Sequence, residues 1–139
     1  MPEIKEIKGA VTAMAEELVK MRQHLHAHPE LSFQEKKTAE YISGQLTLWG
    51  IEHQSNVAGH GITGLIKGRH PDKKVVALRA DMDALPILEK NETPYKSLSH
   101  GVMHACGHDV HTTCLLGAIK ILHERKSDFE GTVKFIFQP

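Results

Sequence analysis

The chain has 139 residues, with 17 basic side chains against 17 acidic ones and 40% hydrophobic residues. That length supports one domain with a real core. The charge balance excludes the basic field that draws a protein to a phosphate backbone, so nucleic acid is not an expected partner. No apolar run approaches a membrane span, and the opening residues lack the apolar region of a secretory leader. A cytoplasmic protein with no membrane partner is therefore expected.

Val11, Met14, Leu18, Met21 and Leu25 recur at three- and four-residue intervals. They predict an amphipathic helix from about Ala10 to His28, ended by Pro29, which pushes the preceding residue out of helical geometry. Ser32 and Glu35 have the spacing of a capping box and predict a second helix starting at Ser32. Ala39, Ile42, Leu46 and Trp49 are its buried face, and Gly50 is its stop. Short strands are expected near Ile51–Gln54 and Ile62–Lys67. Val75-Val76-Ala77-Leu78 predicts a strand from Lys74 to Asp81 buried on both faces. Residues 89–103 lack a pattern and read as loop. A third helix is expected from Asp109, as cap, to about Arg125, burying Val110, Cys114, Leu115, Ala118, Ile119 and Leu122. Gly131 opens a last strand with Val133, Phe135 and Phe137 on one face. This order predicts an α/β domain, whose ligands collect at the carboxyl ends of strands.

Eleven histidines are the unusual feature of the composition. The densest cluster is His104-Ala105-Cys106-Gly107-His108-Asp109-Val110-His111. Thiolate and imidazole suit zinc and similar ions. Residues two apart do not share a helix face, but a turn at Gly107 lets Cys106 and His108 face one ion. The plainer reading is a polar loop with a buried cysteine. A second stretch, Arg79-Ala80-Asp81-Met82-Asp83, brings two carboxylates off the end of a strand. They can bind a metal, orient a histidine ligand, or simply pair with Arg79 or cap a helix. A third, His24-Leu25-His26-Ala27-His28, reads more simply as histidines at a helix end, facing water or terminal carbonyls. His53 and His123 read as surface, Met14 and Trp49 as core. Cys106 and Cys114 are expected about 12 Å apart along a helix, too far for a disulfide. Free thiols suit a reducing compartment.

Four motifs carry a resemblance: H-x-H-x-x-P-E-L-S at His24–Ser32, R-A-D-M-D-A-L-P at Arg79–Pro86, H-A-C-G-H-D-x-H at His104–His111 and F-x-F-Q-P at Phe135–Pro139. In this order they resemble the M20 peptidase family, in the amidohydrolase branch of hippurate hydrolases, auxin-conjugate hydrolases and N-acyl-amino-acid deacylases. The resemblance implies a mixed sheet flanked by helices, residues 1–139 being the amino-terminal part of an incomplete catalytic domain. It implies two divalent metal ions, zinc, manganese or similar, with Cys106 and His108 as ligands. Asp83 corresponds to an aspartate that supports a metal-binding residue. Asp81 stands where many relatives place a ligand histidine, which leaves its role open between catalytic and supporting.

The implied reaction is metal-dependent hydrolysis of the amide bond of a small N-acyl amino acid or similar conjugate. In relatives F-x-F-Q-P runs into Ala-Glu-Glu, general base then ligand, followed by further ligands and an inserted dimerisation domain. The chain alone is therefore expected to be inactive, and homodimerisation is expected of a longer protein. Two other readings stand beside this one: a hydrolase with Cys106 as nucleophile, and a non-catalytic module with a closed metal site.

Overall fold

The computed structural model describes residues 2–139. The first predicted helix is two helices, α1 (Ile4–Ala13) and α2 (Ala15–Ala27), joined at Met14. Met14 leaves helical geometry (φ −104°, ψ 10°) and is itself buried, so the joint is a packing point. Helix α1 begins well before Ala10 because Glu3 and Glu6 form a capping box. Met21 and Leu25 are buried as expected, whereas Val11 is exposed.

Helix α3 spans Lys36–Leu48, four residues later than the predicted start. Ser32 is not its cap. The carboxylate of Glu30 takes that place, accepting from the Thr38 amide (2.6 Å), the Thr38 hydroxyl (2.7 Å) and the Lys37 amide (3.2 Å). Glu35 instead accepts from the amide of Phe33 at 2.9 Å. A long side chain reaching forward from outside the helix fills the need that a local box would have filled. Ile42 and Leu46 are fully buried, with Ala39 and Trp49 packed against the core.

Four strands follow: β1 (Gln54–Val57), β2 (Gly61–Lys67), β3 (Val75–Asp81) and β4 (Thr132–Gln138). Strand β1 lies three residues beyond its expected place. Helix α4 (His108–Glu124) connects β3 to β4. The sheet order is β1-β2-β4-β3, with β2 antiparallel and β3 parallel to β4. A parallel pair needs a crossover connection, and α4 supplies it. The predicted loop 89–103 is irregular apart from its end, where Met103 pairs with Leu85.

The register places Ile62, Ile66, Ala80, Phe135 and Phe137 on one face of the sheet, where they join Met21, Ile42, Leu46, Leu115, Leu116 and Ile119 in one core. The expected mixed sheet with helices is therefore present, and the helices share that one face. Strand β3 is not buried on both faces. It is an edge strand, and Val75 and Val76 are 63% and 46% exposed. Its apolar run reads as a central strand, but among the described residues it pairs with β4 alone. The buried stripe of α4 also differs: Val110 and Cys114 are exposed, while Thr112, Thr113, Leu116 and Gly117 are buried. Close approach of α2 selects this face, since Leu18 sits where a Cβ on Gly117 would stand, 2.9 Å away.

Gly64 sits across from Phe135 in the ladder. A Cβ built there would lie 2.1 Å from the ring of Phe135. Gly64→Ala is expected to destabilise the fold by about 1–3 kcal/mol through overpacking. In contrast Gly9→Ala, in open space on α1, should be neutral or stabilising by up to about 1 kcal/mol. Urea unfolding of both variants checks this, and an unchanged Gly64→Ala midpoint would contradict the packing described.

Candidate functional site

The carboxyl end of β3 meets the first turn of α4. Asp81 is the last residue of β3, and Asp83 follows it. Helix α4 starts at His108, one residue earlier than predicted, so Asp109 lies inside the helix and is not its cap. The N-cap is Gly107, in left-handed backbone geometry (φ 97°) that glycine adopts without strain. The turn brings His108 and His111, three apart, onto the face that looks at β3.

The contacts are direct. His108 donates from Nδ1 to the carbonyl of Asp83 (2.8 Å) and to its carboxylate (2.9 Å). Its Nε2 lies 3.4 Å from Oδ1 of Asp81. Nδ1 of His111 lies 3.0 Å from the same oxygen. Arg79 approaches the other oxygen of Asp81 at 3.5 Å. Burial alone would raise the Asp81 pKa. Hydrogen bonding with His111, a backbone hydrogen bond and the charges of His108 and Arg79 outweigh it and hold the carboxyl below its ordinary value. The buried Thr112 hydroxyl donates to the carbonyl of Asp81 at 2.9 Å, which fixes the strand end against the helix.

Asp81, His108 and His111 each offer one ligand atom, and these atoms lie within 4.8 Å of one another. Two imidazoles and a carboxylate are donors that suit zinc and related divalent ions. The grip of Asp83 on Nδ1 of His108 leaves Nε2 free to coordinate, the usual arrangement for a ligand histidine. The donor set therefore fits a divalent metal. Of the four residues nominated from sequence, Asp81, Asp83 and His108 are brought together. Cys106 stands outside the group of three, exposed in the turn before α4. His111 was not nominated, although its spacing from His108 on one helix face carried the signal.

Behind this face lies a buried polar cluster that the sequence did not reveal. His26 is 3% exposed and sits between two buried carboxylates, with Nδ1 2.7 Å from Asp109 and Nε2 2.8 Å from Glu89. Arg22 donates to Asp109 at 3.1 Å and covers the ring of Tyr95. His28 does what a helix-end histidine is expected to do, contacting the carbonyl of His24 at 2.8 Å. His104 is buried with neither ring nitrogen partnered. Burial above all pushes its pKa down to about 4; His26 and His108 push the same way, and Asp109 and Asp83 oppose them.

Glu89 also has a depressed pKa. Burial would raise it, but bonds from His26, the Ser97 amide and Asn91 outweigh burial. Because the folded value lies below the ordinary 4.5, the native state holds the proton less tightly than the unfolded chain. The resulting stability is complete above that pH and lost as pH falls through the folded value. The stability gap between wild type and Glu89→Gln should therefore close on acidification below about pH 4.5. Unfolding curves at stepped pH measure it, and a gap that widened in acid would contradict this assignment.

The motif for "Peptidase family M20/M25/M40" matches residues 77–139. An N-acyl-L-amino acid amidohydrolase of Geobacillus stearothermophilus is 46% identical over 134 residues, covering 96% of this chain and 36% of that protein. The IAA-amino acid hydrolase ILR1-like 2 of Arabidopsis thaliana is 51% identical over 122 residues, covering 88% of this chain and 27% of that protein. The crystal structure of the Bacillus subtilis YXEP protein, described as a dinuclear metal binding peptidase from the M20 family, superposes with a TM-score of 0.87 at 45% identity. It covers 92% of this chain and 36% of that one. The chain thus spans about a third of the length of these relatives. With its mixed sheet and the donor cluster at the end of β3, the chain matches proteins of the M20 peptidase family along nearly all of its own length and about a third of theirs.

Proposed function

We propose that this chain supplies one side of the metal centre of an enzyme that hydrolyses the amide bond of N-acyl amino acids or similar small conjugates. The observation that carries the proposal is the meeting of Asp81, His108 and His111, with Asp83 clamping His108 from behind. His108 and His111 are the imidazole donors and Asp81 the carboxylate beside them. Cys106, two residues before His108, is a further thiolate donor by its place in the motif. The name of the B. subtilis neighbour, a dinuclear metal binding peptidase, supports two divalent ions, with zinc or manganese suited to these donors.

A divalent ion held there supplies Lewis-acid polarisation of an amide carbonyl and lowers the pKa of water. The chain's own groups do the rest of what is legible. Asp83 fixes the tautomer of His108, keeping a proton on Nδ1 and the lone pair on Nε2. Asp81 stays ionised and offers negative charge at the mouth of the crevice. Arg79, paired with Asp81, is placed to meet an anionic group such as a carboxylate.

We propose further that residues 1–139 are the amino-terminal part of the catalytic domain of a longer, cytoplasmic, homodimeric protein. The support is the third of each relative that the chain covers. No helix among the described residues is long and apolar enough to cross a membrane.

Stripping metal from the intact protein with a chelator should abolish release of the amino acid from an N-acyl substrate, and added Zn2+ or Mn2+ should restore it. His108→Ala should remove detectable turnover. Asp83→Ala should weaken metal affinity about 10–100-fold, as expected of a residue that orients a ligand. Full activity in chelator, lost on thiol alkylation, would overturn the proposal in favour of Cys106 as nucleophile.

A further inference from the structure

His26 touches none of the proposed metal ligands, yet it occupies the joint on which their helix rests. Helix α4 has no side-chain N-cap, since its cap residue is Gly107. What holds its first turn from the side away from β3 is Asp109, 1% exposed. One oxygen of Asp109 accepts from both His26 (2.7 Å) and Arg22 (3.1 Å), and the other accepts from the Val110 amide (2.9 Å). His26 belongs to α2, and its second nitrogen meets Glu89. Glu89 is tied in turn to its own loop by the Ser97 amide at 2.6 Å. One imidazole therefore joins α2, α4 and the 85–103 loop.

Each ring nitrogen of His26 faces a buried carboxylate oxygen, so the imidazole is held at both ends. Arg22 adds a bond to the same oxygen of Asp109, so the four side chains form one connected network. Such a set is rigid, because breaking any bond leaves a buried polar group without its partner. Adjacent residues of a helix stand about 100° apart around its axis. Gripping Asp109 from one side thus fixes the direction in which His108 and His111 project on the other.

We infer that His26 is a positioning residue for the metal centre: through Asp109 it sets the rotation of the first turn of α4, and so where His108 and His111 stand relative to Asp81 and Asp83. The inference rests on the metal-centre reading above.

The test titrates the metal-free intact protein with Co2+, recording apparent Kd, the visible absorption of the bound ion and the Tm of the metal-free form. The variants are His26→Asn, Asp109→Asn and Ile119→Val, the last a buried change two turns or more along α4 from the donors. His26→Asn and Asp109→Asn should weaken Co2+ binding at least tenfold and alter its spectrum. Ile119→Val should lower Tm while leaving Kd and spectrum as in wild type. Glu89→Gln keeps the shape of the joint and removes one grip, so it should shift Kd the same way by a smaller factor. It serves if the stronger variants do not fold. A folded His26→Asn protein with lowered Tm but wild-type Kd and spectrum would overturn the inference while leaving the metal centre intact. A wild type that takes up no Co2+ would overturn the metal centre and the inference together.

Discussion

Asp83 accepts from one imidazole nitrogen of His108 with both its backbone carbonyl and its carboxylate, and this double anchor ties the end of β3 to the start of α4. Around it, Thr112 holds the carbonyl of Asp81, and the Met82 amide donates to the carbonyl of Gln138 at 2.9 Å. The strand end is thus pinned to a helix on one side and to its parallel neighbour on the other. The bond from His108 to the Asp83 carboxylate is charge-assisted, and such bonds are shorter and stronger than neutral ones. The crevice beyond the carboxyl ends of parallel strands is where α/β sheets gather ligands, and here the geometry leaves little freedom for the side chains that line it.

The chemistry of the crevice depends on a second layer that is equally polar. Arg22, His26, Glu89 and Asp109 satisfy one another in a region that an apolar core could fill with no electrostatic risk. Buried ion pairs add little net stability compared with well-packed apolar residues. Their gain is definition, since only one arrangement satisfies every member. The departures from full satisfaction are confined to His104, to one oxygen of Glu35 and to the Thr93 hydroxyl among the described residues. His104 sits near His108 and Asp83, and Glu35 at the start of α3.

Much of this was legible in the sequence, and the limits have physical causes. The apolar spacing of Ile42 and Leu46, and of Phe135 and Phe137, marked the core correctly because burial repeats with the period of the element. The motifs marked Asp81, Asp83 and His108, which the fold does bring together. Several misreadings come from long-range partners. Ser32 looked like a cap until Glu30 reached past it. Asp109 looked like a cap because its true partner, His26, lies 83 positions away. Val75 and Val76 read as a buried strand because a run of apolar residues does not tell how many neighbours it will find. His111 lies three residues after His108, a spacing that puts the two on one face because α4 begins at His108.

The order of strands has a consequence for how the chain reaches this state. Strand β4 follows β2 and β3 in sequence, yet it lies between them, paired with β2 on one side and β3 on the other. Phe135 and Phe137, the large rings of the core, travel with it. The two helices at the start, the β1–β2 hairpin and α4 therefore wait as a loose assembly until residues 132–138 arrive to zip between them. Closure of that kind joins segments far apart in sequence, so its entropy cost falls late and all at once. Until β4 has been made, the facing edges of β2 and β3 have no strand between them, and a chaperone guarding the apolar face of the half-made sheet would have to hold it until then.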